Sequence, residues 1–285
     1  MTIIKGAAPA KVNLTLHVTG QRTDGYHILD SLVVFVDVFD QITATPAPDL
    51  RLSVSGPFSD GIPTDDRNLV LRAARALLDA RGVTAGAHLT LEKNLPHAAG
   101  IGSGSSDAAI TLAMLAQMWG VAPLPPTAPQ VVALGADVPV CLQAPDPTRM
   151  AGIGDLLTPV PALPDCAIVL INPRVSVPTG AVFDALATKR NPQMGRLPPQ
   201  LDFNGFAAWL AAQRNDLEKP ARVLAPEVDA ALNTLRRMPK VAHCAMSGSG
   251  ATCYGLVRNM ADARQVARAI QLSHMNWWVA PGRIL

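Results

Sequence analysis

Pro96-His97-Ala98-Ala99-Gly100-Ile101-Gly102-Ser103-Gly104-Ser105-Ser106-Asp107-Ala108-Ala109 is the most informative stretch of this 285-residue chain. A short strand pattern, His88 to Leu91, precedes it, and an apolar helical pattern, Ser105 to Trp119, follows it. Glycines let backbone N–H groups crowd around an anion and adopt positive φ. The first turn of a helix adds unpaired N–H donors and the positive end of its dipole. Phosphate is the natural ligand for such a terminus. The same residues also read as a helix capped by Ser105, Ser106 or Asp107 after a flexible loop. Two familiar nucleotide loops are excluded. Gly104 runs into Ser105-Ser106 with no lysine, so this is not a Walker A loop. Gly100, Gly102 and Gly104 give GxGxG rather than GxGxxG, and residues 120–130 contain no acid, so the dinucleotide fingerprint fails too.

Outward from the loop, two ionisable residues sit in apolar company. Lys11 lies in Ala-Pro-Ala-Lys-Val-Asn-Leu and Asp137 in Leu-Gly-Ala-Asp-Val-Pro-Val. Such groups must be exposed at an element end, hydrogen-bonded or paired. As a pair they suit phosphoryl transfer: a carboxylate accepts the proton of an attacking hydroxyl, and an ammonium orients it and stabilises negative charge. Read singly, each is an ordinary solvated charge. A second small-residue stretch, Ser247-Gly248-Ser249-Gly250, precedes the strand pattern Thr252 to Val257. It reads equally as a second phosphate or sugar pocket and as a tight turn.

The remaining periodicity predicts mixed α and β structure in two layers per domain. Strands are expected over 10–19, 28–38, 50–54, 88–91, 138–142, 167–171 and 277–281. Helices are expected over 68–78, capped by Asp65, Asp66 or Asn68, and over 130–134, 179–188, 206–214, 226–237 and 260–272. At about 150 residues per domain, the length fits one large domain or two. Pro159 to Pro164 is the expected boundary. A 49% hydrophobic content excludes a disordered chain, and a net charge of +2 without a basic run points away from nucleic acid and polybasic membrane binding. No run of ~18 apolar residues is present, so no membrane span is expected. Met1 to Asn13 does not read as a leader, and a cytoplasmic protein is expected. Cys141, Cys166, Cys244 and Cys253 form no CxxC pair and are expected as buried free thiols.

Pro9-Ala10-Lys11-Val12-Asn13-Leu14, the Gly100–Ala109 loop and Ser247-Gly248-Ser249-Gly250, in that order, resemble the three motifs of the GHMP kinase superfamily. Thr19–His27, Leu134–Val140, Asn68-Leu69-Val70, Asn172-Pro173, Val177-Pro178-Thr179 and Arg214–Glu218 extend the resemblance over essentially the whole chain. It implies an α+β fold of two domains, 1–158 and 159–285. The first would bind ATP on a ribosomal protein S5 domain 2-like fold with a left-handed βαβ unit. The second would be ferredoxin-like, with the last strand able to return to the first domain. The activity implied is ATP-dependent phosphorylation of the 2-hydroxyl of 4-diphosphocytidyl-2-C-methyl-D-erythritol, a step towards isoprenoids outside the mevalonate route. The alternatives are a homoserine or mevalonate type of kinase, or a catalytically silent nucleotide binder on the same scaffold.

The resemblance also implies roles. Asp137 would be the base and Lys11 its partner. ATP would lie against Pro96, His97, Ala98, Ala99, Gly100, Ile101, Gly102, Ser103, Gly104, Ser105 and Ser106, with Asn68, Leu69 and Lys93 near the adenine. Asn13, Tyr26, His27, Thr179 and Phe183 would bind the acceptor, Tyr26 and Phe183 sandwiching the cytosine and His27 bonding its edge. Mg2+ would bridge the phosphates, and Ser106 is the one candidate ligand by position. Partners would be the small-molecule acceptor alone, with the chain a monomer or weak homodimer. The family often has glycine where Ala98, Ala99 and Ser103 stand here, and an aromatic at Val33.

Overall fold

A computed structural model describes residues 3–285. The chain divides into two compact units. One holds the residues up to Ala10, 39–97 and 102–144; the other holds 11–38, 98–101 and 145–285. Strands β1 (Ile4–Asn13) and β3 (His27–Ala47) each contribute to both, and β2 (His17–Gln21) belongs to the second.

In the first unit β4 (Arg51–Ser55) and β5 (Gly86–Glu92) pair in parallel, Arg51 opposite His88. β5 pairs antiparallel with the end of β3, Gln41 opposite Glu92. Helix α1 (Leu69–Arg81) makes the crossover between β4 and β5. Asn68 starts it by accepting the Val70 N–H at 2.9 Å, and Gly82 ends it at φ +62°. Val70, Leu71, Ala73, Ala74 and Leu77 form its buried face. Helix α2 (Ser103–Trp119) packs against α1 and buries small residues, Ala108, Ala109 and Ala116 among them. Gly6 of β1 admits α2 closely: a Cβ there would lie 2.5 Å from Met114 Sδ and 2.7 Å from Ile110 Cγ1.

Helices α3 (Pro129–Leu134) and α4 (Val138–Cys141) complete this unit. The strand expected over 138–142 is therefore a short helix. Val138 and Val140 favour a strand, but Pro139 stands in the first turn, where its fixed φ suits a helix and its missing N–H costs nothing. The expected caps of α2 are corrected as well. Its N-cap is Gly102, in the left-handed region and with no side-chain bond, so Ser105, Ser106 and Asp107 all lie inside the helix.

In the second unit a hairpin that the periodicity missed, β6 (Thr148–Gly152) and β7 (Leu156–Pro159), pairs through β6 with the start of β3. Val33, opposite Thr148, is fully buried core. The rest runs β8 (Ala167–Asn172), α5 (Thr179–Asp184), α6 (Phe203–Ala211), α7 (Glu218–Leu224), α8 (Pro226–Arg236), β9 (His243–Met246), β10 (Cys253–Val257), α9 (Met260–Ser273) and β11 (Trp278–Arg283). The sheet order is β11-β8-β10-β9, antiparallel throughout. With α8 and α9 as the two helices, β8-α8-β9-β10-α9-β11 is the ferredoxin-like arrangement. β11 pairs with β8, Trp278 opposite Asn172. Val169, Ile171, Val228, Leu232, Leu235, Val266 and Ile270 share one core. Of the four cysteines only Cys141 and Cys253 are buried; Cys166 and Cys244 are half-buried.

Candidate active site

Lys11 and Asn13 lie two residues apart on β1, so the strand period points both side chains the same way. Both are buried, and Lys11 Nζ donates to Asn13 Oδ1 at 2.8 Å. A polar group so enclosed needs such partners to offset its lost hydration. The backbone N–H of Lys11 donates to Ile101 O at 3.0 Å, which joins this strand to the glycine-rich loop.

That loop is held by the second glycine motif. Ser247 Oγ donates to Gly100 O at 2.8 Å, and the Thr252 N–H donates to Ala99 O at 3.1 Å. The two backbones approach closely. A Cβ on Gly100 would meet Ser247 O at 2.4 Å, and one on Gly248 would meet Gly100 O at 2.8 Å. Both glycines also have positive φ, +76° and +57°. Only glycine fits at either position. Ser247–Gly250 is thus a tight turn packed on the loop. Its second serine reaches the acceptor set: Ser249 Oγ and Thr179 Oγ1, at the start of α5, are 2.8 Å apart. Asn215 fastens the motif from behind, its Nδ2 donating to Met246 O at 2.8 Å and Gly248 O at 2.9 Å.

Within the loop, Pro96 and Ser103 are tied by the Ser103 hydroxyl, which donates to Pro96 O at 3.3 Å. Ala98 sits at φ +50°, a left-handed conformation that costs a residue with a Cβ about 1–2 kcal/mol. His97 and Ala98 are exposed, Gly102, Gly104 and Ser105 half-exposed, and Ser106 buried. Gly104 faces α1: a Cβ there would lie 3.6 Å from Leu69 Cδ1, so Leu69 and the start of α2 are neighbours.

Lys93 has a buried setting that its sequence neighbours did not announce. Its ammonium pairs with Asp40 and, at 2.6 Å, with Asp107 Oδ2. Asp40 also accepts the Asn94 and Leu95 N–H groups at 2.6 and 2.8 Å. Asp107 Oδ1 is buried with no hydrogen-bond partner. One ammonium faces two carboxylates here. Burial pushes the Asp107 carboxyl well above the usual carboxylate range, with Lys93 pulling it back and Asp40 pushing the same way as burial. Asp40 and Asp107 were missed as partners. The only signal was an acid closing an apolar strand and another inside a helix of small residues.

Asp137 is half-buried at the start of α4, and its side chain does not cap that helix. In the second unit His27 stacks on Phe183, centroids 4.5 Å apart and planes 23° apart. Tyr26, next to His27 in the chain, is 60% exposed. Burial, then Lys189, holds His27 below its ordinary pKa, so its imidazole is neutral at pH 7. Among the described residues no three His, Cys, Asp or Glu side chains could together hold a metal ion. No helix among the described residues is long and apolar enough to cross a membrane.

Residues 68–145 match the family described as GHMP kinases N terminal domain, and residues 199–275 match GHMP kinases C terminal. A curated protein of Cereibacter sphaeroides, 4-diphosphocytidyl-2-C-methyl-D-erythritol kinase, is 54% identical over 280 residues, covering 98% of each chain. The crystal structure of a 4-(cytidine 5'-diphospho)-2C-methyl-D-erythritol kinase matches with a TM-score of 0.79 at 31% identity, over 99% of each chain. Homoserine kinase from Cytophaga hutchinsonii shares the fold, with a TM-score of 0.70 at 17% identity over 100% of this chain and 95% of that one.

Proposed function

The chain belongs to the GHMP kinases, and we propose that its reaction is transfer of the γ-phosphoryl group of ATP to the 2-hydroxyl of 4-diphosphocytidyl-2-C-methyl-D-erythritol. The observation that carries this reading is likeness through the full length, at 54% identity, to a kinase named for that acceptor. The His27–Phe183 stack supports it, because a nucleobase needs a flat apolar surface and homoserine or mevalonate does not.

On this reading Asp137 accepts the proton of the attacking hydroxyl. Lys11, fixed on Asn13, places positive charge beside the oxygen that attacks. The loop Pro96–Ser106 offers backbone N–H groups to the phosphates, and Asn68, Leu69 and Lys93 border the adenine. Because Lys93 is paired with Asp40 and Asp107, its part is to hold the strand end rather than to neutralise phosphate. Mg2+ would supply charge neutralisation on the phosphates, with Ser106 as a candidate ligand by its position in the sequence. Asn13, Tyr26, His27, Thr179 and Phe183 hold the acceptor, the neutral imidazole of His27 reading the edge of the base. Residues 1–158 and 159–285 would be the two kinase domains, with the matched spans 68–145 and 199–275 one on each side of that division. The reaction would run in the cytoplasm.

Phe183→Ala tests the acceptor assignment. Loss of about 1–3 kcal/mol of stacking should raise KM for the cytidylyl acceptor about fivefold to hundredfold and leave KM for ATP in place. An unchanged acceptor KM would remove Phe183 from the site and the cytosine from the reading.

A further inference from the structure

Two serines outside the residues assigned so far converge on Asn13. Ser31, on β3, is fully buried, and its Oγ donates to Thr15 O at 2.5 Å. With its one proton on that carbonyl, the hydroxyl can only accept from Asn13, whose Nδ2 donates to it at 2.8 Å. The polarity of the amide follows. Nδ2 faces Ser31, and Oδ1 is left to accept from Lys11 Nζ at 2.8 Å. A flipped amide would set its N–H groups against an ammonium and its oxygen against a hydroxyl whose proton is already taken.

Ser247 repeats the arrangement on the backbone. Its Oγ accepts the Asn13 N–H at 3.0 Å and donates to Gly100 O at 2.8 Å. Each serine is thus an acceptor towards Asn13 and a donor towards a carbonyl. One sets the direction of the side-chain amide, and the other ties the backbone to the phosphate loop.

We propose that Ser31 and Ser247 are positioning residues for phosphoryl transfer: Ser31 orients Lys11 through the Asn13 amide, and Ser247 sets the distance between β1 and Gly100. Neither touches a reacting atom. The inference rests on the roles given to Lys11 and Asn13 under the proposed function. Ser31→Ala removes the acceptor that fixes the amide and lets it turn, so the ammonium loses its aim. Misplacement of this kind costs turnover rather than nucleotide affinity. Ser247→Ala frees Gly100 as well, so it weakens ATP binding too.

The test combines kinetics with proton exchange of the Asn13 side-chain amide in [15N]asparagine-labelled protein. In the wild type those protons should exchange more slowly than those of solvated asparagines. In Ser31→Ala the protection should vanish and kcat should fall about tenfold to hundredfold, with KM for ATP within about twofold of wild type. Ser31→Thr keeps the hydroxyl and should keep both protection and turnover. Ser247→Ala should lower kcat and raise KM for ATP together.

Unprotected Asn13 protons in the wild type would overturn the proposal without any variant, as would Ser31→Ala protein that loses protection yet turns over normally. If Ser31→Ala does not fold, unprotected protons or lost turnover in a folded Ser31→Thr protein overturn it. A wild type that phosphorylates no cytidylyl acceptor would instead overturn the proposed function, while the amide exchange is read independently of turnover.

Discussion

Asp40, Lys93 and Asp107 put two carboxyl groups and one amine out of contact with water. The two acids are not equivalent. Asp40 accepts the ammonium and two backbone N–H groups, so its charge is answered on both oxygens. Asp107 answers only through Oδ2 and leaves Oδ1 bare. Removing one partner from a satisfied buried network costs about 3–5 kcal/mol, so Asp40→Asn should lower the unfolding free energy by that order. Asp107→Asn keeps an acceptor for Lys93 and removes the surplus negative charge, and should stay within about 1 kcal/mol of wild type. Urea unfolding of the two variants checks this, and equal losses would contradict the asymmetry. At this scale Lys11 and Asp137 stood out in the sequence because charged groups in apolar strings need a reason, whereas Asn13 came from the family resemblance alone. Ser31 was not legible. A serine between Asp30 and Leu32 carries no sign of the Thr15 carbonyl and Asn13 amide that meet it only when β3 is laid down.

The element that orders the site is the short turn Ser247–Gly250. It packs glycine against glycine on the loop at Gly100 and reaches Thr179 through Ser249. Gly100→Ala should therefore do more than strain one φ. Its Cβ would press on Ser247 O and on Gly250, which are backbone and cannot swing aside. A loss above about 2 kcal/mol is expected in thermal unfolding, from overpacking and positive φ together. A variant as stable as wild type would mean that the two backbones are not in contact. Most elements followed from periodicity, α1 and α9 nearly to their ends, because caps such as Asn68 and amphipathic faces are local signals. Val138–Cys141 did not, since two valines outvoted one proline whose position in the first turn decides the matter. The β6–β7 hairpin was missed because it is short and bordered by proline, and α7 because it is short and carries Pro220 within it.

At the scale of the molecule, sequence order and compact unit do not coincide. Residues 11–38 and 98–101 fold with the carboxyl-terminal part of the chain. Lys11, Asn13, Gly100, Ser247 and Thr179 are thereby gathered in one unit, while the buried Asp40–Lys93–Asp107 network and the nucleotide candidates Asn68 and Leu69 belong to the other. No local pattern could announce this, because contacts such as the Asn13–Ser247 hydrogen bond, 234 residues apart in the chain, are set by the whole core and not by neighbours.

The claim on which everything else depends is the reaction, and one assay reaches it. The purified protein is incubated with Mg·ATP and, separately, 4-diphosphocytidyl-2-C-methyl-D-erythritol, homoserine, mevalonate and phosphomevalonate, and products are read by mass spectrometry. The account predicts a mass gain of one phosphoryl group on the cytidylyl acceptor alone, absent in Asp137→Asn protein that still binds ATP. Phosphorylation of another acceptor in its place, or of none while ATP is bound, would contradict it.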